Sequence, residues 1–270
     1  MIPRTVLILA GSRPSGDPLA EYAGVSHKAL IDVGGQPMLL RVVQAVTALP
    51  EVERILIAID QPEILHQLDL QAMLPRPILI ERVATAAGPS ATVASVLASS
   101  GAPLLITTAD HALLEPEWIT DFLERVPPDC DVAALLAPRA AVLGALPQTQ
   151  RTFLRFADGA WSGCNLFLLA TPAATAVVRF WQSIEAERKH PLRLVRRLGL
   201  SFALRYELGL LTLDAALQRM GRLCGARLAV VQSPFGLAAV DVDKPADLDL
   251  VRQIIGKTAH PRPAATHASG

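Results

Sequence analysis

The chain has 270 residues, 25 Lys and Arg against 25 Asp and Glu, 51% apolar residues and 4% aromatics. Zero formal net charge excludes a protein built for non-specific nucleic-acid binding, which needs a basic surplus, and few aromatics leave little for base stacking. Apolar content this high excludes a disordered chain, and the length supplies core enough for a large domain.

Residues 4–10 carry an unbroken apolar run from Val6 to Ala10, the pattern of a strand buried on both faces of a parallel sheet. Residues 37–48 open with Pro37 at a first helical position and carry Leu40, Val43 and Val46 at helical spacing. Residues 54–59 and 77–81 read as further strands, 90–99 as a helix, and 104–108 as a fourth strand ending in Ala109 and Asp110. A helix over 117–126 and a strand over 132–137 continue the alternation, which predicts right-handed crossovers and a mostly parallel sheet. In the second half, strands over 151–156 and 165–169 flank the turn signal Asp158-Gly159. A helix from Thr171-Pro172 to Arg188, a strand over 226–231 and a helix over 245–255 follow. Residues 1–255 are expected to form a single domain and 256–270 a disordered tail.

Cys130, Cys164 and Cys224 are odd in number and show no metal-ligand spacing, so they read as small buried hydrophobes in a reducing compartment. Residues 83–109 lack any charge, but Gly88-Pro89, Gly101 and Pro103 break the stretch into loop, short helix and strand. The run over 6–10 is too short for a signal-peptide core, and a cytoplasmic protein is expected.

Leu9, Ala10, Gly11, Ser12 and Arg13 lead a strand into a small-residue loop, where backbone N–H groups can cradle phosphates. Arg13 would add a fork of donors and Lys28 a point charge, although an ordinary strand-to-helix loop explains the pattern equally well. Asp110 stands just past the end of a buried parallel strand, where open α/β sheets place ligands; a helix cap or turn is the competing reading. Its neighbour His111 reads as a solvated loop residue. Asp241 and Asp243 alternate on one face of a strand end, so both carboxylates can converge on one cation. Asp247 falls in the first turn of the last helix, favourable to its dipole. Gly88 permits close backbone approach and Ser90 offers either a ligand hydrogen bond or a helix cap. Gly163 and Asn165 give either an amide contact to a ligand or a turn that starts a strand.

The order LAGSR, HKAL, GGQPML, then Asp110 and the closing run from Asp241 to Leu248, resembles nucleotidyltransferases of the molybdenum-cofactor guanylyltransferase and methylerythritol-phosphate cytidylyltransferase type. The resemblance implies a glycosyltransferase-A-type three-layer α/β fold with a mostly parallel central sheet. It also implies transfer of an NMP unit from an NTP to a phosphorylated small-molecule acceptor, with pyrophosphate release and Mg²⁺ as cofactor. On this resemblance Leu9, Ala10, Gly11, Ser12, Gly88 and Ser90 bind the nucleotide, and Arg13 and Lys28 neutralise the phosphates. Asp110 and Asp243 hold the metal, and Gly163 and Asn165 line the acceptor side. The loop is shortened relative to the family pattern, reading A-G-S-R, and Asp17 and Glu21 lie between Arg13 and Lys28.

Residues 185–227 carry nine basic and four acidic residues, including Arg193, Arg196, Arg197 and Arg205 beside a long apolar face at 190–213. An acceptor-binding subregion, solvated amphipathic helices and a homodimer contact are the readings left open. A catalytically silent nucleotide or sugar-nucleotide binding protein, or a glycosyltransferase on the same fold, are the functional alternatives. The latter would normally show a D-x-D motif, where Asp110-His111-Ala112 has one aspartate.

Overall fold

The computed structural model describes residues 3–12, 16–149, 151–187 and 199–259. Arg13, Arg193, Arg196 and Arg197, and the tail from residue 260, lie outside the described residues. In chain order the first half comprises β1 (Thr5–Leu9), α1 (Pro18–Ala23), α2 (Met38–Thr47), β2 (Arg54–Ala58), α3 (Glu63–Leu68), β3 (Leu79–Val83), α4 (Pro89–Ser100), β4 (Leu104–Thr108), α5 (Pro116–Arg125) and β5 (Val132–Pro138). The second half adds α6 (Arg139–Ala145), β6 (Leu154–Phe156), β7 (Gly159–Leu169), α7 (Ala174–Glu187), α8 (Leu200–Glu207), α9 (Leu213–Cys224), β8 (Leu228–Gln232) and α10 (Pro245–Ala259).

The strands form one eight-stranded sheet in the order β3-β2-β1-β4-β7-β5-β8, with β6 pairing β7. Pairs β1–β2, β1–β4, β2–β3 and β5–β8 are parallel, while β7 runs antiparallel to both β4 and β5. The apolar run of β1 is explained by its central place, since Val6, Leu7 and Ile8 are all fully buried. Alternation sends them to opposite layers. Val6, Ile8, Ile55, Ile57 and Leu105 join the core made with α2, α5 and α10. Leu7, Leu56 and Ile106 pack with Val93, Val96 and Leu97 of α4 and with Ala174 and Val178 of α7. Burying such a side chain contributes about 1.5–3 kcal/mol, so these two layers dominate the stability of the fold.

Several local expectations shift. Pro37 stands at the N-cap of α2 rather than inside it, with φ −58°, the angle its ring imposes in any case. Gly34 and Gly35, at φ 66° and 81°, make a tight turn in which the Val33 N–H donates to the Gln36 carbonyl. This turn packs against Ile255 of α10, so Gly34 serves the fold. The α10 helix continues through Gly256 to Ala259, into the segment expected to be disordered, with Lys257 in the last turn complementing the helix dipole. The short helices α1, α3 and α6 have too few turns to show a period in the sequence. Residues 241–243 belong to no strand; they lead in an irregular stretch into α10. Among the described residues no helix is long and apolar enough to cross a membrane.

Candidate active site

Because β1 and β4 are adjacent and parallel, their C-terminal ends deliver Gly11 and Asp110 to the same edge of the sheet. The Ala109 N–H donates to the Leu9 carbonyl at 2.9 Å, extending the ladder to that edge. A cavity of about 340 Å³ opens there, lined by Leu9, Ala10, Gly11, Lys28, Asp110 and Asp243 among others. Gly11 also abuts the loop before α4, since a Cβ on it would lie 2.9 Å from Thr85 Cγ2.

Lys28 is the centre of this cavity's charge. Its Nζ donates to Asp110 Oδ2 at 2.8 Å and to Asp243 Oδ1 at 3.1 Å. Burial opposes the charge on Lys28, but Asp110 and then Asp243 outweigh it and hold the ammonium above its ordinary pKa. The Thr108 hydroxyl donates to Asp110 Oδ1, and the Val242 N–H donates to the Asp110 carbonyl, fastening residues 240–243 to the end of β4. Asp247 accepts the N–H groups of Asp243 and Lys244, each at 3.2 Å, which turns the chain into α10 and fulfils its expected place in the first turn.

Asp241 does not share a cation with Asp243. Its carboxylate pairs with the Arg151 guanidinium and accepts the Asn165 amide at 3.0 Å. The physical reason is the loss of strand geometry at 241–243, which removes the alternation that would have put both acids on one face. Asn165 adopts φ 48° where β7 carries extra residues against β5, and this bulge re-aims its amide toward Asp241. A second cavity of about 450 Å³, lined by Thr149, Arg151, Thr152, Asp241, Asp243 and Lys244, adjoins the first across Asp243 and Lys244. Gly163 is exposed, with open space around its Cα, and lies outside the lining of both cavities. Cys164 beside it is buried, and burial pushes its thiol up to about 12.

Ser90 is buried one residue inside α4, and Gly88 holds the N-cap position in its place. The cap itself comes from a distant helix. Glu185 Oε2 of α7 accepts the Ser90 N–H at 3.1 Å, and a Cβ on Gly88 would lie 2.5 Å from Glu185 Oε1. His111 is not solvated: it is 1% exposed and lies 6.0 Å from the Trp118 ring. Burial pushes its pKa down to about 4, against the pull of Asp110 and Asp241. Asp17 caps α1 by accepting the Leu19 N–H at 2.9 Å, which accounts for one acid of the loop in structural terms.

Sequence reasoning missed Asp60, His27, Arg151 and Glu185. Asp60 Oδ1 accepts the Ser12 N–H at 2.9 Å and faces His27 Nε2 at 3.4 Å. His27 stands in the HKAL motif but was given no role there, and no motif marks the other three; an acid two positions past a buried strand, as for Asp110, is the one signal that Asp60 shared.

Asp110 and Asp243 present two carboxylates to a single cationic nitrogen, which suits Mg²⁺ completed by phosphate and water oxygens. Among the described residues no group of three or more His, Cys, Asp or Glu gathers to hold a metal by itself.

Comparison with curated proteins finds no match for the sequence. Among solved structures, a hypothetical transferase from Thermus thermophilus is 26% identical, with a TM-score of 0.76 over 92% of this chain and 100% of that one. The 4-diphosphocytidyl-2C-methyl-D-erythritol synthase of Anaerococcus prevotii is 9% identical, with a TM-score of 0.58 over 93% of this chain and 97% of its own. A CMP:2-keto-3-deoxy-manno-octonic acid synthetase complexed with CTP is 15% identical, with a TM-score of 0.57 over 95% of this chain and 100% of its own. The latter two share the fold. Residues 6–227 match the MobA-like NTP transferase domain, and the chain belongs to that family.

Proposed function

We propose that the protein is a Mg²⁺-dependent nucleotidyltransferase that moves an NMP unit from an NTP to a phosphorylated small-molecule acceptor. The observation that carries this reading is Lys28 held between Asp110 and Asp243 at the C-terminal edge of β1 and β4. In the reaction an acceptor phosphate oxygen attacks the α-phosphorus, the bond to the β-phosphate oxygen breaks, and pyrophosphate leaves. A phosphate monoester is already ionised at neutral pH, so no strong base is needed. Positioning and charge neutralisation then do most of the catalysis.

The chain's residues divide this work. Gly11 brings backbone close to the triphosphate, and Lys28, which lines the same cavity, meets its charge. Arg13, carried over from the family pattern, is assigned to the same anion. Asp110 and Asp243 would hold Mg²⁺, which when bound neutralises phosphate charge. The adjoining cavity at Arg151, Thr149 and Thr152 is assigned to the acceptor, with Asn165 setting Asp241 behind Arg151. Gly88 and Ser90 are assigned to the base by the family pattern alone, since Glu185 occupies both and neither lines the two cavities.

The test is pyrophosphate release with Mg²⁺, using each of the four NTPs against a panel of phosphorylated sugars, polyols and pterins. Release that depends on one NTP and one acceptor class supports the reading. Nucleotide binding without turnover would replace it with a silent binding protein, and no binding of any NTP would end it.

A further inference from the structure

We propose that Asp60 is a positioning residue for nucleotide binding, its carboxylate clasping the loop at Gly11 and Ser12 to the turn that carries Lys28. This rests on the nucleotidyltransferase reading above.

The geometry is set by β2. It runs parallel to β1 with Leu9 opposite Ala58, so Asp60 emerges beside the loop that follows β1. Its Oδ1 accepts the Ser12 N–H at 2.9 Å and also faces His27 Nε2 at 3.4 Å. His27 is buried, and its Nδ1 accepts the Ala29 N–H at 3.0 Å. A backbone N–H can only donate, so Nδ1 carries no proton and Nε2–H points at Asp60. One carboxylate oxygen thus joins two segments that meet the same cavity from different stretches of chain. Lys28 follows His27 directly and begins the 3₁₀ turn Lys28–Leu30, so holding the imidazole holds the root of the lysine side chain.

Asp60 is ionised in this setting. Burial opposes its charge, but the Ser12 N–H, its own backbone N–H and His27 together keep its carboxyl below the usual value. A negative charge beside a loop that receives a triphosphate is repulsive on its own, so its benefit must lie in the geometry it enforces. The clasp also commits the Ser12 N–H to Asp60, which leaves Gly11 as the backbone that meets the phosphates.

Two variants and two readouts separate this role from a merely structural one. Asp60→Asn keeps an acceptor oxygen in place; Asp60→Ala removes it. Equilibrium binding of the four NTPs with Mg²⁺, and amide hydrogen exchange at Ser12 and Ala29, are measured on wild type and both variants. Asp60→Ala should weaken binding of the preferred NTP about tenfold or more and speed exchange at Ser12, while Asp60→Asn stays within about threefold. If Asp60→Ala does not fold, Asp60→Glu, whose extra methylene displaces the carboxylate, replaces it with the same expectation. Faster exchange at Ser12 with unchanged NTP affinity would overturn the positioning role and leave the nucleotidyltransferase reading intact. Absence of NTP binding by wild type would sink that reading, and the role with it.

Discussion

Lys28 Nζ lies 2.8 Å from Asp110 Oδ2, joining residues 82 positions apart in the chain. With Asp243 on its other side, the ammonium stands where a divalent cation would neutralise the same two carboxylates. On the proposed function, lysine and metal would compete for one pair of charges until a triphosphate arrives. Lys28→Met should tighten nucleotide-free Mn²⁺ binding by about tenfold, or ~1.4 kcal/mol, while lowering pyrophosphate release by about a hundredfold. Spin-resonance titration of free Mn²⁺ reads the first effect; unchanged affinity would show that the two aspartates do not bind metal together.

The two aspartates should not be equivalent. The Asp110 side chain is 20% exposed and tied to Thr108, whereas that of Asp243 is 63% exposed. Asp110→Asn should abolish pyrophosphate release at any Mg²⁺ concentration. Asp243→Asn should raise the Mg²⁺ required by about tenfold and recover at high metal, because water can replace an exposed ligand more readily than a buried one.

Asn165 combines a left-handed backbone with a hydrogen bond to Asp241. Asn165→Ala removes the bond and adds the steric cost of φ 48°, for a loss of about 1–2 kcal/mol. Asn165→Gly loses the bond alone and should melt above the Ala variant. The reverse order in thermal unfolding would mean that the bulge relaxes to ordinary strand geometry.

Glycine positions should respond with opposite sign. A Cβ on Gly236 would lie 2.0 Å from the Ala141 carbonyl oxygen, so Gly236→Ala forces backbone apart and should cost about 3 kcal/mol. Gly144 lies within α6 with no heavy atom within 4 Å of a built Cβ. Gly144→Ala should stabilise by about 0.5–1 kcal/mol through helix propensity. Urea unfolding of the two variants checks both.

Thiol chemistry follows burial. Cys164 is 1% exposed with its thiol pushed up to about 12 by burial, so at pH 8 almost none of it is thiolate. Iodoacetamide should label the half-buried Cys224 first and reach Cys164 only on unfolding. Rapid native labelling of Cys164 would show that β7 opens.

The parallel half of the fold was legible because its strands are buried on both faces and therefore read as unbroken apolar runs, as β1, β2 and β4 do. Lys28, Asp110 and Asp243 could be singled out because each sits in a short motif of its own. What the sequence hid is contact between distant segments: Ser12 with Asp60 across 48 residues, Arg151 with Asp241 across 90, Ser90 with Glu185 across 95. Ser12, Asp241 and Ser90 lie in patterned segments, but Asp60, Arg151 and Glu185 do not, and no local pattern says which partner each will meet. The divergence of Asp241 from Asp243 was hidden for a related reason, because alternation predicts facing only while a strand lasts.

The antiparallel strand β7 separates β4 from β5, hydrogen-bonding to both. During synthesis β4 and β5 are therefore made before the strand that seals them. A nascent chain ending near residue 158 carries Leu104, Leu105 and Ile106 on an unsealed, apolar sheet edge, a template for joining another chain. Until β7 is translated that edge stays open to aggregation, and slow translation there would lengthen the chain's need for a chaperone.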